Sequence, residues 1–96
     1  MDELLFEWDE EKNQHNIDVH GISFDIAKHV FEDEFYIEYY DEEHSSLGEE
    51  RYQVIGLVYD VLFVVYTERN EKIRLISARL AEEDEKEVYY AHRKQS

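Results

Sequence analysis

"RYQVIGLVYDVLFVVYTERNEKIRLISAR", residues 51–79, decides the fold. Three runs stand in quick succession, RYQVIGLVY, VLFVVYTE and KIRLISAR, with only Asp60 and Arg69–Asn70 marking the breaks. β-branched and aromatic residues dominate them, and connections this short return a strand alongside the one before, so antiparallel pairing is expected. Alternation sorts the last run into two sets. Ile73, Leu75, Ser77 and Arg79 point one way and read as the helix-covered side, with Arg79 escaping at its end. Lys72, Arg74, Ile76 and Ala78 point the other, leaving Arg74 on an open side.

Working back toward the N-terminus, "FYIEYY" (35–40) reads as a further strand, and "DEEHSSLGEE" (41–50) as a mobile acidic loop. Asp9 is an N-cap, followed by Glu10 and Glu11 where the helix dipole favours anions. The helix it opens runs to about His20 and stops at Gly21, a natural C′ residue. Ser23 caps a second helix whose Ile26, Ala27, Val30 and Phe31 form a core face. Leu4–Trp8 is apolar enough to add an edge strand. Beyond the last strand, Leu80–Lys94 reads as a helix, with acidic residues at its start and Arg93 and Lys94 at its end. Helices, then strands, then a helix imply an α+β fold: an antiparallel sheet of about four strands with two N-terminal helices and a C-terminal helix packed on one face.

Ninety-six residues suit one domain spanning 1–96. There is no cysteine, so disulfides and thiolate metal sites are excluded. The opening "MDELLFEWDEE" lacks the basic and apolar parts of a signal peptide, and no segment approaches the roughly 20 apolar residues a membrane span needs. A cytoplasmic protein with no membrane association is expected. The formal net charge of −15 disfavours general affinity for nucleic acid or anionic membranes and favours a basic partner. That charge is uneven. Residues 1–50 hold two Lys or Arg against 17 Asp or Glu, whereas residues 51–79 hold five against three.

The middle segment therefore concentrates Arg51, Arg69, Lys72, Arg74 and Arg79. Arginines on a sheet face suit bidentate binding of phosphate or carboxylate. The competing reading is cross-strand pairing with Glu49, Glu50, Glu68 or Glu71 on a wet surface. Lys12, Asn16 and His20 form one polar row on the first helix, at i, i+4 and i+8. His15 and His20 are wrongly spaced to act as paired metal ligands, and His29 and His44 have no recognisable companions. No Gly-rich phosphate loop, nucleophile elbow or zinc motif is present.

Several motifs in order resemble one family. "FEWDEEKNQHNIDVHGISFDIAKHVFED" is similar to the opening of BrnT-type toxins, and "GEERYQVIG" and "VVYTERNEKIRLISAR" to their middle and their I-R-x-I-S-A-R signature. The resemblance covers about residues 6–80. It implies a RelE/ParE-like fold and a bacterial endoribonuclease that cleaves mRNA, free or ribosome-bound, without a metal or other cofactor. It also implies neutralisation by a ribbon-helix-helix antitoxin, with DNA contacted only through the toxin–antitoxin complex. Residue by residue, it implies His20, Glu68, Arg74 and Arg79 as catalytic residues, and Lys12, Asn16, Arg51 and Arg69 as contacts to phosphate or RNA; Lys72, flanking the hairpin with Arg69, joins these contacts from the strand reading alone. An aromatic near the C-terminus, Tyr89 or Tyr90, belongs to the same expectation. The family commonly has K-H-G where this chain has Val19-His20-Gly21, so one expected cation is missing. That departure and the acidic surface leave a second reading, a weak or inactive relative that binds the antitoxin. A third, an acidic mimic of nucleic acid, would use residues 1–50.

Overall fold

The computed structural model describes residues 4–95. Five strands, β1 (Phe6–Glu7), β2 (Ile37–Ser46), β3 (Glu49–Leu57), β4 (Val61–Arg69) and β5 (Lys72–Leu80), form one sheet in the order β1-β5-β4-β3-β2. The three strands of the central stretch pair antiparallel, as does β2 with β3. β1 runs parallel to β5, so the sheet is mixed and has five strands where about four antiparallel ones were expected.

The first helix, α1 (Glu10–His20), starts and stops where the sequence indicated. The Asp9 carboxylate accepts from the Glu11 and Lys12 amides, and Gly21 closes the helix with φ of 72°. The second helix is shorter than expected. α2 covers Phe24–Ala27 and tightens into a 3-10 turn over Lys28–Glu32. A tighter turn shifts the facing positions to i, i+3, so Ala27 and Val30 are buried while Ile26, expected in the core, is 42% exposed. The 3-10 turn lies so close to the sheet that a Cβ on Gly56 would sit 3.1 Å from Val30 Cβ. Among the described residues, no helix is long and apolar enough to cross a membrane.

The expected acidic loop at 41–50 is mostly strand. β2 continues to Ser46 and returns at Glu49, with a register irregularity between Asp41 and Ser46. Local bonds carry the chain through it: Ser45 Oγ donates to the Asp41 carbonyl and accepts from the Arg51 amide. As the sheet's outer edge, β2 carries many carboxylates, which discourage further strand pairing. The β4–β5 turn falls at Asn70–Glu71, one residue later than expected, with both residues at positive φ. The last helix, α3 (Glu83–Gln95), starts later than Leu80 because Leu80 is still paired with Leu62 in the sheet.

A bulge corrects the reading of β5. Tyr66 faces Leu75 but Val65 faces Ser77, so Ile76 is an extra residue in the ladder. Beyond it the alternation flips. Ala78 joins Ile73 and Leu75 on the side covered by α1 and α2, while Ser77 and Arg79 join Arg74 on the opposite side. The core of the covered side holds Phe24, Val54, Leu62, Val64, Leu75 and Ala78. Helices also occupy both sides of the sheet, not one. Tyr89 of α3 packs with Ile55, Val61 and Ala81 beside Phe35 and Phe63, on the side that carries the arginines.

Candidate functional site

Register builds the site. Asp41 faces Arg51, Arg51 faces Thr67, Thr67 faces Arg74, and Arg74 faces Glu7. One row therefore crosses all five strands on one side, and alternation leaves the same side of β4 and β5 with Arg69, Lys72, Ser77 and Arg79. The backbones of Arg51 and Arg74 are two strand spacings apart, about 10 Å, within the joint reach of two long side chains. Thr67 lies between them, buried, its hydroxyl donating to the Glu50 carbonyl at 2.7 Å.

Each of the three principal arginines is held by a carboxylate. Arg74 Nη1 lies 3.1 Å from Glu7 Oε2, and Lys72 Nζ is 4.0 Å from the other oxygen of the same residue. Arg51 is bonded through Nε and Nη2 to Glu49. Arg79 makes a two-pronged contact with Glu85, at 2.8 and 2.9 Å, and its guanidinium lies 4.1 Å from the centre of the Phe63 ring. The Glu85 bond holds Arg79 more firmly protonated, and Arg79 in turn holds the Glu85 carboxyl below its usual range. Pairing with acids does occur, but Glu7 and Glu85 supply two of the three partners where Glu50, Glu68 and Glu71 were candidates. These carboxylates occupy the fork that a phosphate would engage.

α3 is fastened over one end of this side. The buried Tyr89 hydroxyl donates to Asp33 Oδ2 at 2.5 Å, and Arg93 Nη1 donates to the Tyr89 oxygen at 3.1 Å. Burial, with the bond to Asp33, pushes Tyr89 up to about 12. Burial alone would raise Asp33, but bonds from Tyr89 and from the Leu57 and Phe35 amides outweigh it and hold the carboxyl low. Of the two C-terminal tyrosines, Tyr89 is enclosed and Tyr90 is 49% exposed.

The expected residues do not all converge. Lys12 and His20 are exposed on α1, which packs on the other side of the sheet. Glu68 faces Ile73 on that other side as well, lining a cleft with Phe31, Tyr36, Glu38 and Tyr66. Asn16 is 4% exposed. Its amide nitrogen donates to the Ile22 and Ala78 carbonyls, both at 2.8 Å, and its oxygen accepts from the Ala78 amide at 3.1 Å. With those bonds made, Asn16 ties α1 to β5 and presents nothing to RNA.

Three further residues shape this side, and their signals in the sequence are slight. Glu7 sits in the F-E-W-D motif without a signal of its own. Glu85 stands three residues after Glu82 and accepts from its amide at 2.7 Å, half of the reciprocal contact found at helix starts and so a usable cue. His44 was left without companions, yet its Nδ1 lies 3.0 Å from Asp41 Oδ2.

Fold and site together define a small α+β protein whose Arg51, Arg69, Lys72, Arg74 and Arg79 line a sheet face of a kind suited to anions. The description "Ribonuclease toxin, BrnT, of type II toxin-antitoxin system" fits residues 8–85, and the chain belongs to that family. Its fold is similar to the 1.1 Å crystal structure of the Brucella abortus ribonuclease toxin BrnT, with a TM-score of 0.65 and 21% identity over 84% of this chain and 100% of that one. No curated protein matches the chain.

Proposed function

We propose that the protein is an endoribonuclease toxin that cleaves mRNA without a metal ion, arrests growth, and is neutralised in the cytoplasm by a ribbon-helix-helix antitoxin. The observation that carries this reading is the row linking Arg51 and Arg74 across Thr67, with Arg79 on the same side. The ribose 2′-oxygen attacks the adjacent phosphorus, and the bond to the 5′-oxygen breaks. The products are a 2′,3′-cyclic phosphate and a 5′-hydroxyl. Charge accumulates on the phosphoryl oxygens as the transition state forms, and guanidinium groups fixed there stabilise it where a metal otherwise would. Substrate phosphate exchanges with Glu7, Glu49 and Glu85 for the same donors, so the arginines are held in place before RNA arrives. The acidic surround slows the approach of RNA and suits a basic antitoxin segment.

The test is cleavage of a defined RNA in EDTA by the purified protein beside its Arg74→Ala/Arg79→Ala variant, with ribosome-free and ribosome-programmed samples. Cyclic-phosphate ends made by the parent and absent with the variant are expected. RNA left intact by folded parent protein under both conditions would favour the antitoxin-binding relative instead.

A further inference from the structure

His20 and Glu68, the expected proton acceptors, lie on the other side of the sheet, and the structure offers an imidazole at the β2 end of the arginine row. Asp41 opens the row beside Arg51 and is 7% exposed. Its carboxylate accepts from the His44 amide at 3.1 Å and meets His44 Nδ1 at 3.1 and 3.0 Å. The imidazole itself is 60% exposed. Nδ1 is thus taken up by a buried carboxylate, and Nε2 forms no hydrogen bond with any described residue.

We propose that His44, oriented by Asp41, is the catalytic proton acceptor for RNA bound on the arginine row; this rests on the ribonuclease reading above. A carboxylate at Nδ1 fixes the tautomer that leaves Nε2 free to accept a proton, and it stabilises the imidazolium that follows. In the step, Nε2 takes the proton of the ribose 2′-hydroxyl while the 2′-oxygen bonds to phosphorus. The P–O5′ bond breaks, the departing oxygen takes a proton from water, and the imidazolium later returns its proton to solvent. Arg51, next to Asp41 in the ladder, holds the reacting phosphate, and Arg74 holds its neighbour.

The surroundings suit this role. Burial alone would raise the Asp41 carboxyl, but bonds from the Gln53 side chain and from the His44 amide and ring outweigh it and keep the group charged. The irregularity in β2 is what places residue 44 back over residue 41. A regular strand would carry a side chain three positions on to the opposite side. The other charged groups nearby are Glu42 and Glu43 on β2, and Glu49 and Arg51 on β3.

The decisive experiment measures kcat, KM and the pH profile of RNA cleavage for the parent, His44→Gln, His44→Ala with and without added imidazole, Asp41→Asn, and Arg74→Ala. His44 is exposed, so its variants fold, and circular dichroism checks this. We expect His44→Gln to lower kcat by about 100-fold or more with KM within threefold, and to abolish the acid limb of the profile. Imidazole should restore part of the His44→Ala rate, and Asp41→Asn should lower kcat with little change in KM. If the parent cleaves and Arg74→Ala does not, while His44→Gln keeps its rate and acid limb, the dyad is overturned and the ribonuclease reading stands. If the folded parent cleaves nothing, the reading falls and the dyad with it.

Discussion

The two sides of this sheet share the same strands and obey opposite rules. On the side under α1 and α2, Val54, Val64, Leu75 and Ala78 are fully or almost fully buried, and the polar Asn16 is admitted only with its amide saturated. On the other side, Arg51, Arg74 and Arg79 remain partly open, each paired with an acid. Hydrophobic burial makes the first side indifferent to charge and intolerant of lost volume. The second tolerates substitution in stability, since half-open ion pairs contribute only about 0–1 kcal/mol each. The bulge at Ile76 assigns residues to the two sides. Without it Arg79 would face the core.

That contrast can be broken at several points. Ala78→Arg has the largest expected effect: it places a guanidinium at a fully buried position of the covered side, and an unpaired buried charge exceeds the stability margin of a small domain. Far-UV circular dichroism should show a largely unfolded chain. Leu75→Ala, a substitution confined to the covered side, should lower unfolding free energy by about 2–5 kcal/mol in urea denaturation and leave the anion site unchanged. Asn16→Ala should cost roughly 3 kcal/mol in the same assay, because the Ala78 amide and the Ile22 and Ala78 carbonyls lose their partner.

Acid should act on the open side. Asp33, Asp41 and Glu85 are all held below their ordinary values of 3.8, 3.8 and 4.5. Their contribution to stability is therefore present above those values and is lost as pH falls through the lower folded-state ones. The melting temperature should fall as pH drops below about 4.5, and Asp33→Asn should flatten part of that loss. The smallest effect is expected at the turn that aligns Arg69 with Lys72. Glu71 sits there at φ of 65°, and Glu71→Gly should stabilise by roughly 0.5–1 kcal/mol, read as a small rise in melting temperature.

Much of this architecture was legible before the structure. The ends of α1 follow from Asp9 and Gly21, and the three central strands follow from residue type and short connections. The covered core was only partly legible, because a helical period of 3.6 does not describe the 3-10 turn that leaves Ile26 outside. The site was harder. A bulge shifts parity by one residue without a mark in composition, so simple alternation orients Arg74 correctly and inverts Ser77 and Ala78. The Asp41–His44 contact lies within a stretch whose acidic, serine-rich character resembles a loop. His20 and Glu68 came with the family resemblance, and nothing in one-dimensional spacing shows that the sheet separates them from the arginines.

In the proposed function, the arginine side cleaves RNA. The most direct test compares cleavage of one RNA by Arg51→Ala/Arg74→Ala and by Lys28→Ala/Lys86→Ala. Both variants lose two cations, but Lys28 and Lys86 pair with Asp25 and Asp60 outside the row. We predict at least about a 100-fold loss for the first pair, the scale of removing charge stabilisation from a transition state, and near-parent activity for the second. Equal losses in both, or full activity in the arginine variant, would contradict the account.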